Sequence, residues 1–243
     1  MKLKSCCELV EAKTTNEKDA RPWMTGTELM EALAREYIVE GLLPYGLSVL
    51  VGSPKTGKSF LALDIAAGVA SGKPVLGRRG CCVQGGVIML ALDDTEHRLS
   101  RRLMPYRERD LSSLYFALEW RRMDDGGLED LRLALDEHPD TRLLVIDGFP
   151  RIITKRRISN AFAALKSLAD ERNVAVLVVL PILPPNTATV DTLLFLLRGF
   201  GREEAVLQVT SRDTRTKELS LKFRPDSPSR MPWTETWIEM MET

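Results

Sequence analysis

Residues Gly52-Ser53-Pro54-Lys55-Thr56-Gly57-Lys58-Ser59 fit the pattern G-x-x-x-x-G-K-[ST] at every fixed position. The flanks fit as well. Leu47-Ser48-Val49-Leu50-Val51 is a short apolar run that reads as a buried strand, and Phe60 to Ala70 is rich in Ala and Leu and free of Pro. Strand, glycine loop and helix together present backbone N–H groups and a helix N-terminus to a polyphosphate. Gly52 and Gly57 allow a close backbone approach that a Cβ would hinder. Lys58 is expected at the β- and γ-phosphates, and the Ser59 hydroxyl on Mg²⁺. With Ser53, Pro54, Lys55, Thr56 and Phe60, these residues form the expected ATP cradle.

A second signal is Leu143-Leu144-Val145-Ile146 followed by Asp147. Such a strand delivers a carboxylate to its C-terminal end, where ligands of open parallel sheets bind. Asp147 is expected to share the Mg²⁺ shell with Ser59. A third is Asp93-Asp94, at the end of the apolar run Val87 to Leu92. Hydrolysis needs a carboxylate to orient or deprotonate water. Asp93 is the choice for that task, with Asp94 for support or for capping the helix that carries Arg98, Arg101 and Arg102. Thr95 and Glu96 fall in the first turn of that helix.

The chain predicts an α/β fold. Buried strands at 47–51, 87–92, 143–146 and 174–180 alternate with helices at 60–70, 128–137 and 160–172, which indicates a mostly parallel sheet covered on both faces. Leu114 to Leu118 adds a further candidate strand. Thr192 to Leu197 is apolar. Ala205 to Thr210 and Glu218 to Phe223 read as an antiparallel hairpin that extends the sheet. Residues 1–24 read as a flexible tail, 25–237 as the folded domain and 238–243 as a second tail. Thr25 or Thr27 is a candidate cap for a helix reaching Arg35.

With 34 basic and 34 acidic side chains among 243 residues, overall charge gives no sign of nucleic-acid binding. No apolar stretch is long enough to span a membrane. The first residues lack the apolar core of a signal peptide, so the expected location is the cytoplasm. The adjacent pairs Cys6-Cys7 and Cys81-Cys82 do not suit a shared metal and read as reduced thiols.

These segments, in this order, resemble the RepA-like hexameric helicase ATPases of the RecA superfamily, within the AAA-type family often found in plasmid, phage and prophage genes. The resemblance runs over roughly residues 25 to 237. It is carried by Val39 to Pro44, Gly52 to Asp64, Gly86 to Leu99 with Arg101-Arg102-Leu103, Leu144 to Asp147, Ala164 to Ala169, Val174 to Val179, and Ser211-Arg212-Asp213 with Glu218 to Phe223. It implies a RecA-like core, Mg-ATP binding and a ring, such as a hexamer, with nucleotide at the subunit interfaces. It implies single-stranded DNA as a partner. It also implies a basic residue reaching in from the neighbouring subunit. Arg212 holds the matching place, with Arg215 and Lys217 as close competitors.

The chain departs from that family at three places. Asp93 stands where the family usually has Glu, one methylene longer. Leu180-Pro181-Ile182-Leu183-Pro184-Pro185 stands where the family usually has polar residues that sense the γ-phosphate, and these side chains donate no hydrogen bond. Nothing in cis therefore obviously offsets γ-phosphate charge. The loops that would line a DNA channel look short, and Arg151, Lys155, Arg156 and Arg157 are the remaining basic candidates. Two functions follow: a DNA-directed ATPase, or a nucleotide-binding regulatory or assembly protein with weak or no hydrolysis.

Overall fold

The computed structural model describes residues 25–27, 37–77, 82–154, 157–212, 216–224 and 232–236. The expected tails, most of the 25–35 helix, Cys6, Cys7, Cys81, Lys155, Arg156 and Arg215 lie outside the described residues.

Nine strands form one sheet. In chain order they are β3 (Gly46–Val51), β4 (Gly86–Ala91), β5 (Leu114–Ala117), β6 (Thr141–Asp147), β7 (Ala175–Leu180), β8 (Thr192–Arg198), β9 (Glu204–Ser211), β10 (Lys217–Phe223) and β11 (Trp233–Glu235). Across the sheet the order is β11-β10-β9-β8-β3-β7-β6-β4-β5. From β8 to β5 all neighbours pair parallel. From β8 to β11 all pair antiparallel. This is a RecA-like α/β core with an antiparallel extension. A small two-stranded sheet, β1 (Tyr37–Val39) with β2 (Leu43–Pro44), precedes it.

Every residue of β3, β4 and β7 is buried, which explains their unbroken apolar runs. One face packs on α1 (Lys58–Ser71), in which every residue from Leu61 to Ser71 is buried. A helix apolar all round belongs inside a fold. The other face packs against α3 (Leu128–Glu137) and α4 (Ile158–Arg172), with Leu131, Leu135, Phe162 and Leu165 in the core. The short α2 (Glu96–Leu103) is mostly exposed and buries only Leu99.

The expected hairpin is β9 with β10, in register Ala205↔Leu221 and Leu207↔Leu219. The run at 192–197 turns out to be the strand that joins the two halves. It lies parallel to β3 and antiparallel to β9, with Thr192 opposite both Ser48 and Ser211. Strand β11 is an addition that the sequence reading did not include. Its Trp233 is fully buried.

Candidate nucleotide site

The P-loop leaves the C-terminal end of β3 and feeds into α1. Gly57 has φ of 100°, and a Cβ there would lie 2.7 Å from the Trp233 ring. A Cβ on Gly52 would lie 2.6 Å from the Leu196 carbonyl oxygen. Gly57 is thus fixed by backbone conformation and close approach, and Gly52 by close approach. Lys58 Nζ donates to the carbonyl oxygens of Gly52 at 2.6 Å and Ser53 at 2.9 Å. The ammonium is therefore curled over its own loop, where an incoming phosphate would compete for it. Burial pulls the Lys58 pKa down, and the nearby Asp147 carboxylate opposes that shift. Buried Thr56 closes the loop by donating to the Ser53 carbonyl at 2.9 Å.

Asp147 ends β6 beside the end of β4, opposite Ala91. The Ser59 side chain lies beside its carboxyl. Burial pushes the Asp147 pKa up and the charges of Asp93 and Asp94 add to the rise, while Ser59 and Arg102 pull it down. A cation there would relieve a buried carboxylate surrounded by others. The two oxygen donors suit a hard divalent ion. Mg²⁺ in phosphate sites commonly takes one or two protein ligands and completes its shell with phosphate and water.

The two acids after β4 have different surroundings. The Asp94 side chain is 4% exposed and ion-paired with Arg98 at 3.4 Å and with Arg102. The Asp93 side chain is 65% exposed, and its nearest cation is Arg151 Nη1 at 3.8 Å from Oδ1. Neither acid caps the helix. Thr95 does, by accepting from the Arg98 N–H at 3.3 Å. Arg102 also lies over the Phe60 ring, 4.7 Å from its centroid. Three guanidinium groups of this same chain, Arg98, Arg102 and Arg151, therefore stand at the acids.

The antiparallel strands hold the P-loop from the side. Arg198, the last residue of β8, donates through Nε to the Thr56 carbonyl at 2.9 Å and through Nη2 to the Lys55 carbonyl at 2.5 Å. Lys55 has φ of 66°, a strained value for a residue with a Cβ, so its carbonyl is held where the backbone alone would not favour it. Arg198 also stacks over Phe223, 4.6 Å from the ring centroid. Trp233 Nε1 donates to the Gly57 carbonyl at 3.1 Å and packs 4.5 Å from Phe223. Sequence reasoning missed both residues. The one signal for Arg198 was its place just after an apolar strand that could end at the P-loop edge.

Arg212 lies elsewhere. It follows Ser211, which pairs with Thr192, and Thr192 in turn pairs with Ser48 near the start of β3. That is about 10 Å along the strand from the P-loop end, at roughly 3.3 Å per residue. Its Nε donates to the Val190 carbonyl at 3.2 Å and its Nη2 to the Ala188 carbonyl. Arg212 and the P-loop of the same chain thus sit at opposite ends of the sheet. Of the loop cations, Arg157 pairs with Asp124 at 3.2 Å. After β7, Pro181 and Ile182 are exposed, Ile182 by 77%, and they bring no polar side chain to this edge.

No curated protein matches the chain. A family model described as an AAA domain matches residues 15–180. That span is more than half of the chain and ends with the last residue of β7. The chain belongs to the AAA domain family, with ATPase-type nucleotide binding.

Proposed function

We propose that this protein is a Mg-ATP hydrolase that works as a homo-oligomeric ring on DNA, in the manner of RepA-type replicative helicases. The observation that carries the ATPase part is the convergence of Lys58, Ser59, Asp147 and Asp93 at one end of the parallel strands. Lys58 would exchange the Gly52 and Ser53 carbonyls for the β- and γ-phosphates. Ser59 and Asp147 would hold Mg²⁺, which offsets phosphate charge when bound. Asp93, open to solvent, would orient the attacking water and accept its proton. Asp94, neutralised by Arg98 and Arg102, would keep the turn in place.

The ring part rests on the RepA-like resemblance and on the position of Arg212. If Arg212 serves a nucleotide, its distance from its own P-loop leaves only a neighbour's, and an arginine finger is worth a rate factor of about 10³–10⁵. The regulatory reading, binding without efficient turnover, is favoured by two observations. Asp93 is shorter than the Glu usual at that place, and the segment after Leu180 is apolar.

Phosphate release with and without single-stranded DNA separates the two. Release stimulated by DNA supports the motor. Tight Mg-ATP binding without release supports the regulator. Mixing Arg212→Ala with Lys58→Ala subunits should regenerate activity if Arg212 acts across an interface, since some interfaces then carry both native residues. Turnover by a strictly monomeric species would overturn the ring.

A further inference from the structure

The turn after Asp147 is built against Asp93. Gly148 adopts φ of 90°, and a Cβ there would lie 3.1 Å from the Asp93 nitrogen and 3.2 Å from its carboxyl carbon. The 3₁₀ turn Phe149–Arg151 follows, closed by the Arg151 N–H to the Gly148 carbonyl at 2.9 Å. Phe149 is fully buried and stacks on Phe162 with centroids 5.9 Å apart. The backbone under Arg151 is therefore anchored in the core. Its side chain is 62% exposed, donates to the Leu92 carbonyl and stands 3.8 Å from Asp93. An exposed ion pair at that distance is weak. Of the other cations at this edge, Arg98 and Arg102 pair with the buried Asp94 carboxylate and Arg198 binds the P-loop carbonyls.

From this geometry we infer that Arg151 is the γ-phosphate contact of this site, supplied in cis. It replaces the polar side chain that the Leu180–Pro185 segment lacks. The inference rests on the nucleotide-site reading above. With ATP in place the guanidinium moves from Asp93 to the γ-phosphoryl oxygens, and Asp93 is released to the water. In the step itself the water oxygen bonds to the γ-phosphorus as the bridge from the γ-phosphorus to the β-γ oxygen breaks. ADP keeps the electron pair, and the proton of the water passes to Asp93. The planar fork of Arg151 faces the oxygens on which charge accumulates. Arg151 thus leaves the set of candidate DNA contacts.

The test compares affinities for a non-hydrolysable Mg-ATP analogue and for Mg-ADP by calorimetry on the full chain. A γ-phosphate contact predicts that Arg151→Ala weakens analogue binding about 10- to 100-fold, the worth of a charged hydrogen bond. ADP binding should stay within about two-fold, which also reports an intact fold. Arg151→Lys should recover part of the loss. An unchanged ratio of the two affinities, or an equal loss of both, overturns the inference. If wild type binds neither nucleotide, or if Lys58→Ala binds like wild type, the underlying site reading fails first and the inference with it. Mixing Arg151→Ala with Lys58→Ala subunits gives a second readout. A residue acting in cis restores no turnover, because no site then holds both native side chains. Recovered turnover would place Arg151 in trans and contradict the assignment.

Discussion

Strands β3, β4 and β6 lead into the proposed phosphate-binding groups, whereas β8 and β10 end, and β11 begins, in groups that face the P-loop itself. The first set offers Lys58, Ser59, Asp93 and Asp147. The second offers Arg198, Phe223 and Trp233, which touch loop carbonyls and one another. On the proposed function the parallel half carries the chemistry, while the antiparallel half supports the shape of the loop. The family match covers the first and stops before the second. A P-loop conformation that includes a left-handed Lys55 is thus supported by residues outside the matched segment.

Substitutions on the two sides should fail in different ways, and that difference can be broken by experiment. The largest effect is expected at Asp93. If Asp93 holds the water, Asp93→Asn should lower turnover by about 10²–10⁴-fold and leave Mg-ATP affinity and thermal stability near wild type. Asp93→Glu should raise turnover if reach is limiting. Steady-state phosphate release with a melting curve on the same samples reads both quantities. Control of the rate by Asp94 instead would move the role by one residue.

On the other side, Trp233→Ala should cost about 3–5 kcal/mol of stability, the usual range for a fully buried aromatic. Trp233→Phe keeps most of the volume and loses the bond to the Gly57 carbonyl, so about 1 kcal/mol is expected. Denaturant unfolding measures both. A stable Trp233→Ala protein that had lost only its turnover would erase the distinction between the halves.

The contrast also governs what could be read from the chain. Parallel strands buried on both faces leave unbroken apolar runs, and phosphate chemistry demands fixed residue types at fixed spacing. β3, β4, β6 and β7 were therefore legible, as was the place of the glycine loop between β3 and α1. The supports were not. Arg198 and Trp233 are 142 and 176 residues from the carbonyls that they bind, and no local period records such a contact. The cap of α2 shows a nearer limit. Asp93, Asp94 and Thr95 are all capable caps in sequence, and only the ion pairs of Asp94 and the open position of Asp93 separate them. Arg151 read as one of several loop cations because a turn built on buried Phe149 leaves no mark beyond a glycine and a proline.

A pH-dependent effect concerns Asp64, in α1 against the parallel half. Burial pushes its carboxyl from 3.8 up to about 6, against the pull of the Leu76 N–H, Arg109 and Tyr106. A raised acid favours the folded state while protonated. Its contribution is fully present below about pH 4 and is lost as pH rises through about 6, roughly 3 kcal/mol at 1.36 kcal/mol per unit. Asp64→Asn should flatten this dependence, since an amide oxygen can still accept from Leu76. Urea unfolding at pH 4 and pH 7 checks it. Identical pH slopes for the two proteins would place the strain elsewhere.

The central claim, that the P-loop end of the parallel half is an ATP site organised by Lys58, is tested most directly by calorimetric titration of wild type and Lys58→Ala with Mg-ATP. The account predicts saturable one-site binding to wild type and a loss of about 100-fold or more in the variant, from the missing charge-assisted bonds to phosphate. Equal affinity in the two proteins would contradict it.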